Sequence, residues 1–498
     1  MPRFLFALLF APFLAPPAAF AQDDPALELE KARGYFAEGQ YDECLLVLGH
    51  LEDEASVATE AARLRIRALR TVGRYEEASE VAGRLVAADA EDLGARLELV
   101  LAARTLGKDE DAAAEIARML QIDPENPAAL ANQGILAFET GRVKEAMTLF
   151  ESARDRFVMA DLTSATDVYW AGVAGRYFGM RTERESRTEA LSLLTESVFK
   201  KAAQLDPTLY EAWYQRGMIW VDAYDAPFAK ENFTEALQKN PRHPDLLAGM
   251  AATMLLNFGT RPEAVAYLQK ALAVNPRHSE ALALLAAVQL DDEEFVETKP
   301  LLDRALAVNP TDQRALALLA GYWWLHGDPA AYEAIEKKVL ALNPACGDFY
   351  YSVAQVILTK RQFHRAVDLL KKAVELDPQH WHAYIDLGTN MMRIGVNGEE
   401  AARPYLEKAM REFPYHTQSK NMLELLKTYD EYVVRPHGDV HVRLHVSEDP
   451  LMRPYLERFL DECIPYLEKR YGVELPKPVL FEVFHEHDDF GVRSIGLT

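Results

Sequence analysis

A dipeptide that stops helices returns along this chain at an almost constant interval. Asp206-Pro207, Asn240-Pro241, Asn275-Pro276, Asn309-Pro310, Asn343-Pro344, Asp377-Pro378 and Phe413-Pro414 follow one another at steps of 34, 35, 34, 34, 34 and 36 residues. Proline inside a helix costs about 3 kcal/mol and pushes the residue before it out of helical space. Each stop therefore closes a unit, and a period near 34 restricts the chain to an architecture of stacked repeats.

The stretch Gly347 to Pro378 shows what one unit contains. Tyr350, Val353, Ala354 and Ile357 fall at i, i+3, i+4 and i+7 and make one apolar stripe. Phe363, Ala366, Val367, Leu370, Ala373 and Val374 make a second. The polar segment between them is short, so the two helices fold back as an antiparallel hairpin. Ala354, Ala366 and Ala373 sit where these helices, and the next hairpin, cross closely.

This pattern resembles the tetratricopeptide repeat, which places an aromatic, a small residue, an aromatic, then Ala, Phe, Ala and Pro along each unit. Trp213, Gly217, Trp220, Ala229, Phe233, Ala236 and Pro241 fill it in one unit. Tyr350, Ala354, Ala366, Ala373 and Pro378 fill it in another, and Tyr384, Gly388, Ala402, Ala409 and Pro414 in a third. Earlier units (Ala32, Tyr35, Gly39, Tyr41 and Cys44; Gly73, Tyr75 and Ala78; Gly107, Ala112 and Pro124; Gly134, Gly141, Ala146, Phe150 and Ala153) match less fully, as terminal repeats with one unpacked face do. The expected fold is all-α: a right-handed solenoid of about eleven helical hairpins followed by an incomplete α+β segment.

Residues 1–21 read as a secretory signal: one basic residue, an apolar run broken by proline, and Ala19-Phe20-Ala21 before Gln22-Asp23-Asp24. An exported chain, periplasmic or extracellular, with no transmembrane segment after cleavage, is the expectation. Cleavage removes Arg3 and no acid, leaving 53 basic against 77 acidic side chains, a net charge of −24. Such a surface repels phosphate backbones, so nucleic acid is not an expected partner. Cys44, Cys346 and Cys463 are odd in number and far apart, which gives neither a disulfide framework nor a metal pattern. Cys44 stands at a small-residue position and reads as a packed apolar side chain.

The remaining divisions follow the rhythm. Residues 25–158 hold the N-terminal units and 159–207 a unit with an insertion, because Pro124 and Pro207 lie two periods plus 15 residues apart. The polar stretch after Tyr177 is too long for the usual turn, and serves either as a binding device or as a tolerated surface excursion. Residues 208–416 hold the C-terminal units, in which Pro300 and Pro404 lie about a turn inside second helices and should shorten them. The resemblance implies a concave groove, lined by first helices, that binds a protein or peptide. Tyr214, Met218, Trp324, Tyr351, Gln355, His382 and Met392 are the candidates to face it.

Residues 417–498 break the rhythm. Val442, Leu444 and Val446 alternate with His441, Arg443 and His445 in a half-buried strand hairpinned through His437-Gly438-Asp439. A helix from Asp449 to about Tyr471 carries Met452, Tyr455, Phe459, Cys463 and Leu467 on one face, and Pro478 to Phe484 is a further strand. This stretch, with Phe484 to Leu497 as its motif, resembles the entrance to peptidase MA-like domains. In that family a zinc ion is held by an HExxH helix. No HExxH occurs in these 498 residues, so no catalytic or metal-ligating residue is assigned and no cofactor is expected in this chain, zinc being implied only if a longer protein carries the peptidase domain. His485-Glu486-His487 is no substitute, since a strand end points its side chains in alternating directions. The chain reads as stopping before that domain closes. Two functions stand side by side: a binding scaffold, or the N-terminal part of a repeat-containing zinc metallopeptidase. Glycine-rich phosphate loops and G-x-S-x-G are lacking, which leaves glycosyl transfer and serine hydrolysis without a motif.

Overall fold

The computed structural model describes residues 24–52, 54–159, 162–182, 191–257, 259–292, 294–394, 396–412, 416–475 and 477–495. The signal at residues 1–21, most of the inserted loop and Phe413-Pro414 lie outside them. Eleven antiparallel helix pairs follow one another: α1 (Pro25–Ala37) with α2 (Tyr41–His50), α3 (Ala58–Thr71) with α4 (Tyr75–Ala88), α5 (Leu93–Thr105) with α6 (Asp109–Ile122), α7 (Pro127–Glu139) with α8 (Val143–Met159), α9 (Ala165–Gly179) with α10 (Phe199–Leu205), α11 (Tyr210–Asp222) with α12 (Ala226–Lys239), α13 (Pro244–Leu255) with α14 (Arg261–Val274), α15 (Ser279–Asp291) with α16 (Phe295–Val308), α17 (Gln313–Leu325) with α18 (Pro329–Leu342), α19 (Gly347–Thr359) with α20 (Phe363–Leu376), and α21 (Trp381–Met391) with α22 (Val396–Glu412). A π-helical segment, Leu194–Val198, runs into α10.

Small residues on first helices receive large ones from second helices, as the pattern requires. Phe233 of α12 fits between Gly217 and Gly249, where an added Cβ on either would lie 2.3 Å from its ring. Ala354, Ala366 and Ala373 are wholly buried, and so is Cys44. Pro300 and Pro404 do not shorten their helices, contrary to expectation: α16 and α22 run through both. At Pro300 the carbonyl that loses its donor belongs to Val296, which is 84% exposed, so water can replace the missing bond.

The solenoid winds tightly enough for each turn to rest on the one before. Asn240 donates from its side-chain amide to the Tyr41 hydroxyl at 3.0 Å and to the Phe36 carbonyl at 3.3 Å. One repeat on, Asn275 donates to the Tyr75 hydroxyl at 3.0 Å, and after another repeat Asn309 donates to the Arg104 carbonyl at 3.4 Å. Next to Asn343, Gln313 donates to the Glu139 carbonyl at 2.6 Å, and beyond it Arg181 grips Asp377 with two bonds of 2.7 Å. The stop residues thus have two uses. Their oxygens accept from the backbone two residues on, in the Asx turn that ends a helix, and the amides of Asn240, Asn275 and Asn309 reach the turn below, while that of Asn343 donates to Gln313. Gly39, Gly73, Gly107 and Gly141 lie beneath them with positive φ, their Cα atoms so close that a Cβ would come within 2.2 to 2.7 Å of the asparagine oxygens.

After α23 (Thr417–Thr428) come β1 (Tyr432–His437), β2 (Val440–His445), α24 (Asp449–Tyr471), β3 (Val479–Glu482) and α25 (His487–Ile495). The sheet order is β1-β2-β3, with β1 antiparallel and β3 parallel to β2. Met452, Leu456, Leu460 and Ile464 of α24 cover Val442 and Leu444. The face expected for α24 is therefore corrected: Met452 packs, whereas Tyr455 and Phe459 are 76% and 53% exposed because they stand one residue off the stripe that meets the sheet. On the opposite side Arg443 of β2 reaches Glu399 of α22 at 2.8 Å, and Glu482 and Arg493 complete a nearly dry ion network that fastens this segment to the last hairpin. No helix among the described residues is long and apolar enough to cross a membrane.

Candidate functional site

On the inner side, polar residues of neighbouring first helices pair. Arg70 of α3 meets Glu98 of α5 at 2.7 Å, Arg314 of α17 meets Glu280 of α15 at 2.6 Å, and Arg176 of α9 bonds Gln215 at 2.6 Å and Asp222. Two histidines contribute in the same way. His278 and His380 each cap their own helix, Nδ1 accepting from the backbone N–H three residues on. That leaves Nε2 to face a carboxylate of the preceding repeat, Asp245 at 2.7 Å and Asp348 at 3.2 Å.

The Asp348 side chain is 65% accessible; burial, the largest influence on its carboxyl, opposes ionisation, and the hydrogen bond and charge of His380 outweigh it and hold it below its ordinary value. Asp386 shows the opposite outcome: burial pushes its carboxyl up, and bonds from Gln355 and Tyr351 reverse only part of this. At His382 burial, reinforced by the charge of His380, keeps the ring below its usual value.

Between α7–α9 of one turn and α17–α21 of the next opens a cleft of about 770 Å³. Phe138, Tyr177, Met180 and Trp381 supply apolar wall, and Arg176, Asp222, Asp348, His380 and His382 supply polar groups. Arg181, at the entry to the inserted loop, lies on its rim beside Asp377. Trp381 is the one aromatic here whose ring nitrogen is buried without an acceptor.

Of the expected groove residues, His382 lines the cleft, its Nε2 3.2 Å from the Asp222 carbonyl and its ring on Tyr224. Tyr351 and Gln355 stand close by: Tyr351 packs on His380 with ring centres 4.6 Å apart and bonds Tyr224, and Gln355 donates to Asp386 at 2.7 Å. Tyr214 and Met218 are half-buried against the core. Trp324 is half-buried at the far edge, over Tyr332 and beneath Arg365. Met392 is corrected: it is wholly buried, because α21 ends at Met391 and the 3-10 turn that follows carries Met392 into the core. Trp381, His380, Arg176 and Asp222 were not singled out from the sequence: Arg176 with Asp222, and His380 with Asp348, pair between neighbouring repeats, and the cleft that gathers them with Trp381 forms only across turns. His485 pairs with Glu448 at 2.9 Å and stacks on His445. Among the described residues no three His, Cys, Asp or Glu side chains are gathered as a metal site.

Models of the tetratricopeptide repeat match residues 63–127 and 347–380. Those two stretches carry tetratricopeptide repeats. The second match covers the stretch whose two stripes define one unit, and the first falls on the early units, which fill the pattern less fully. Among solved structures, yeast Tom70 is 16% identical over 82% of this chain and 88% of its own, with a TM-score of 0.39. A tetratricopeptide repeat protein from Parabacteroides merdae is 19% identical over 56% of this chain and 98% of its own, with a TM-score of 0.35. No curated protein matches the chain.

Proposed function

We propose that the protein is an interaction scaffold that takes a short extended segment of a protein partner into the cleft between its turns. The observation that carries this reading is the cleft itself: about 770 Å³, walled by the aromatic side chains Phe138, Tyr177 and Trp381 from two turns, with charged and polar side chains among them that neighbours hold in place, as Asp222 holds Arg176 and His380 holds Asp348. That is the composition of a binding pocket rather than of a core, and Trp381, with an unused donor, is the kind of side chain that dominates binding energy. The pattern of residues 1–21 adds that the scaffold works after export. Peptide display against the full chain tests the site. Enriched peptides should cross-link to a photoreactive residue in place of Met180 and should be released by Trp381→Ala at an unchanged melting temperature. Peptides that ignore Trp381→Ala and cross-link elsewhere would move the site.

A further inference from the structure

On a chain of net charge −23, one small region is wholly basic. Around the turn between α19 and α20 and the end of α21, a shallow depression of about 420 Å³ is lined by Arg361, His364, Arg365 and Arg393 together with Gln362, Phe363 and Ile394, and by no carboxylate. Most arginines of the solenoid are paired, as Arg277 is with Glu76 and Arg314 with Glu280. Among the described residues none of these four basic groups is paired with an acid.

Two features hold the guanidinium groups ready. Arg365 lies over the Trp324 ring at 5.7 Å and Arg393 over Phe363 at 5.3 Å; Nη1 of each is engaged by a neutral amide oxygen, that of Gln362 at 3.5 Å and of Asn390 at 2.9 Å, which fixes their planes and leaves the remaining N–H donors for oxygen acceptors. Arg361 sits at φ +55, where the equivalent turns use Gly39, Gly73, Gly107, Gly141 and Gly327. A long side chain held in this region is uncommon, and such an outlier points toward a use. Burial pushes the Arg393 guanidinium below its ordinary value, and the charge of Asp386, which is not paired with it, offsets this only in part while that of Arg361 adds to it.

We propose that this patch binds an acidic segment of a protein partner, successive Asp or Glu carboxylates being taken by Arg361, Arg365 and Arg393. The charges spread over two hairpins on an open surface, with Phe363 and Ile394 between them, which suits a run of carboxylates better than one small ion. A short segment also keeps its charge within the patch, whereas a long polyanion would extend over the acidic surface beyond a Debye length of about 8 Å. The site is separate from the cleft, so either stands if the other fails.

The test is fluorescence anisotropy of a labelled hexaglutamate peptide titrated with the full chain. Binding should weaken as salt rises from about 50 to about 300 mM, and should fall about tenfold in Arg361→Gly and in Arg393→Gln. Arg361→Gly should melt no lower than the parent, because glycine accepts this φ freely; a fold defect could not then explain its loss of binding. Three results would each overturn the proposal: no binding of hexaglutamate, equal binding by both variants, or displacement by inorganic phosphate or an oligothymidylate at lower concentration than by unlabelled peptide.

Discussion

Gly107 and Gly327 occupy equivalent turns at φ +66 and +68, and only their surroundings differ. A Cβ on Gly327 would meet nothing within 4 Å, whereas one on Gly107 would lie 2.3 Å from the Asn309 oxygen of the next turn. Gly327→Ala should therefore cost only the backbone strain, about 1–2 kcal/mol. Gly107→Ala should cost that plus whatever parting the two turns requires, and urea unfolding of the pair reads the difference directly. Equal losses would mean that the turns do not touch at this residue. A trace of the contact was visible in the sequence, though not read: the stops change from Asp89, Asp123 and Asp206 to Asn240, Asn275, Asn309 and Asn343 and then back to Asp377. Asp and Asn both close an Asx turn, but only Asn has an amide to donate to the turn beneath.

At the scale of elements, the hairpins were legible because their period is written in every unit, and the succession of strand pair, helix and strand after α23 followed from alternation and turn residues, though not the parallel pairing of β3 with β2. The working surface was less so. A first helix shows which face is not needed within its own hairpin, and that placed Tyr351, Gln355 and His382 near the cleft. How many hairpins make one turn depends on small angles between neighbours that leave no periodic mark, so the gathering of Arg176, Asp222 and Trp381 in one cleft stayed hidden. The same limit hid the fastening of β2 to α22. Glu399 and Arg443, whose side chains are 3% and 4% exposed, are the buried link between them. Glu399→Ala leaves Arg443 with part of its counter-charge gone in a dry setting and should lower stability by about 3–5 kcal/mol. Calorimetry should then show the C-terminal segment loosening before the solenoid; a loss under about 1 kcal/mol would mark the pair as dispensable.

For the whole molecule, contact between turns changes the expected mechanics. A repeat array whose units touch only their neighbours unfolds nearly as a sum of local terms, but here residues 200 positions apart are bonded. Acid should act on that closure. Its hydrogen bond to Arg277 is the largest influence on the Glu76 carboxyl and brings it down to about 2 from an ordinary 4.5. A carboxyl lowered in the fold stabilises it above the unfolded value and ceases to as pH falls through the folded one. The parent should thus lose stability between about pH 4.5 and 2 more steeply than Glu76→Gln, and parallel acid-unfolding curves would count against the contact. The most direct test places cysteines at both ends of the same contact. With Cys463 replaced by Ser, Glu76→Cys and Arg277→Cys in the full chain should be joined within one molecule by a short bis-maleimide that spans the gap left by the two long side chains, seen as a joined tryptic peptide in the monomer. If both thiols stay free, or join only between molecules, the solenoid is open and the cleft between its turns does not exist.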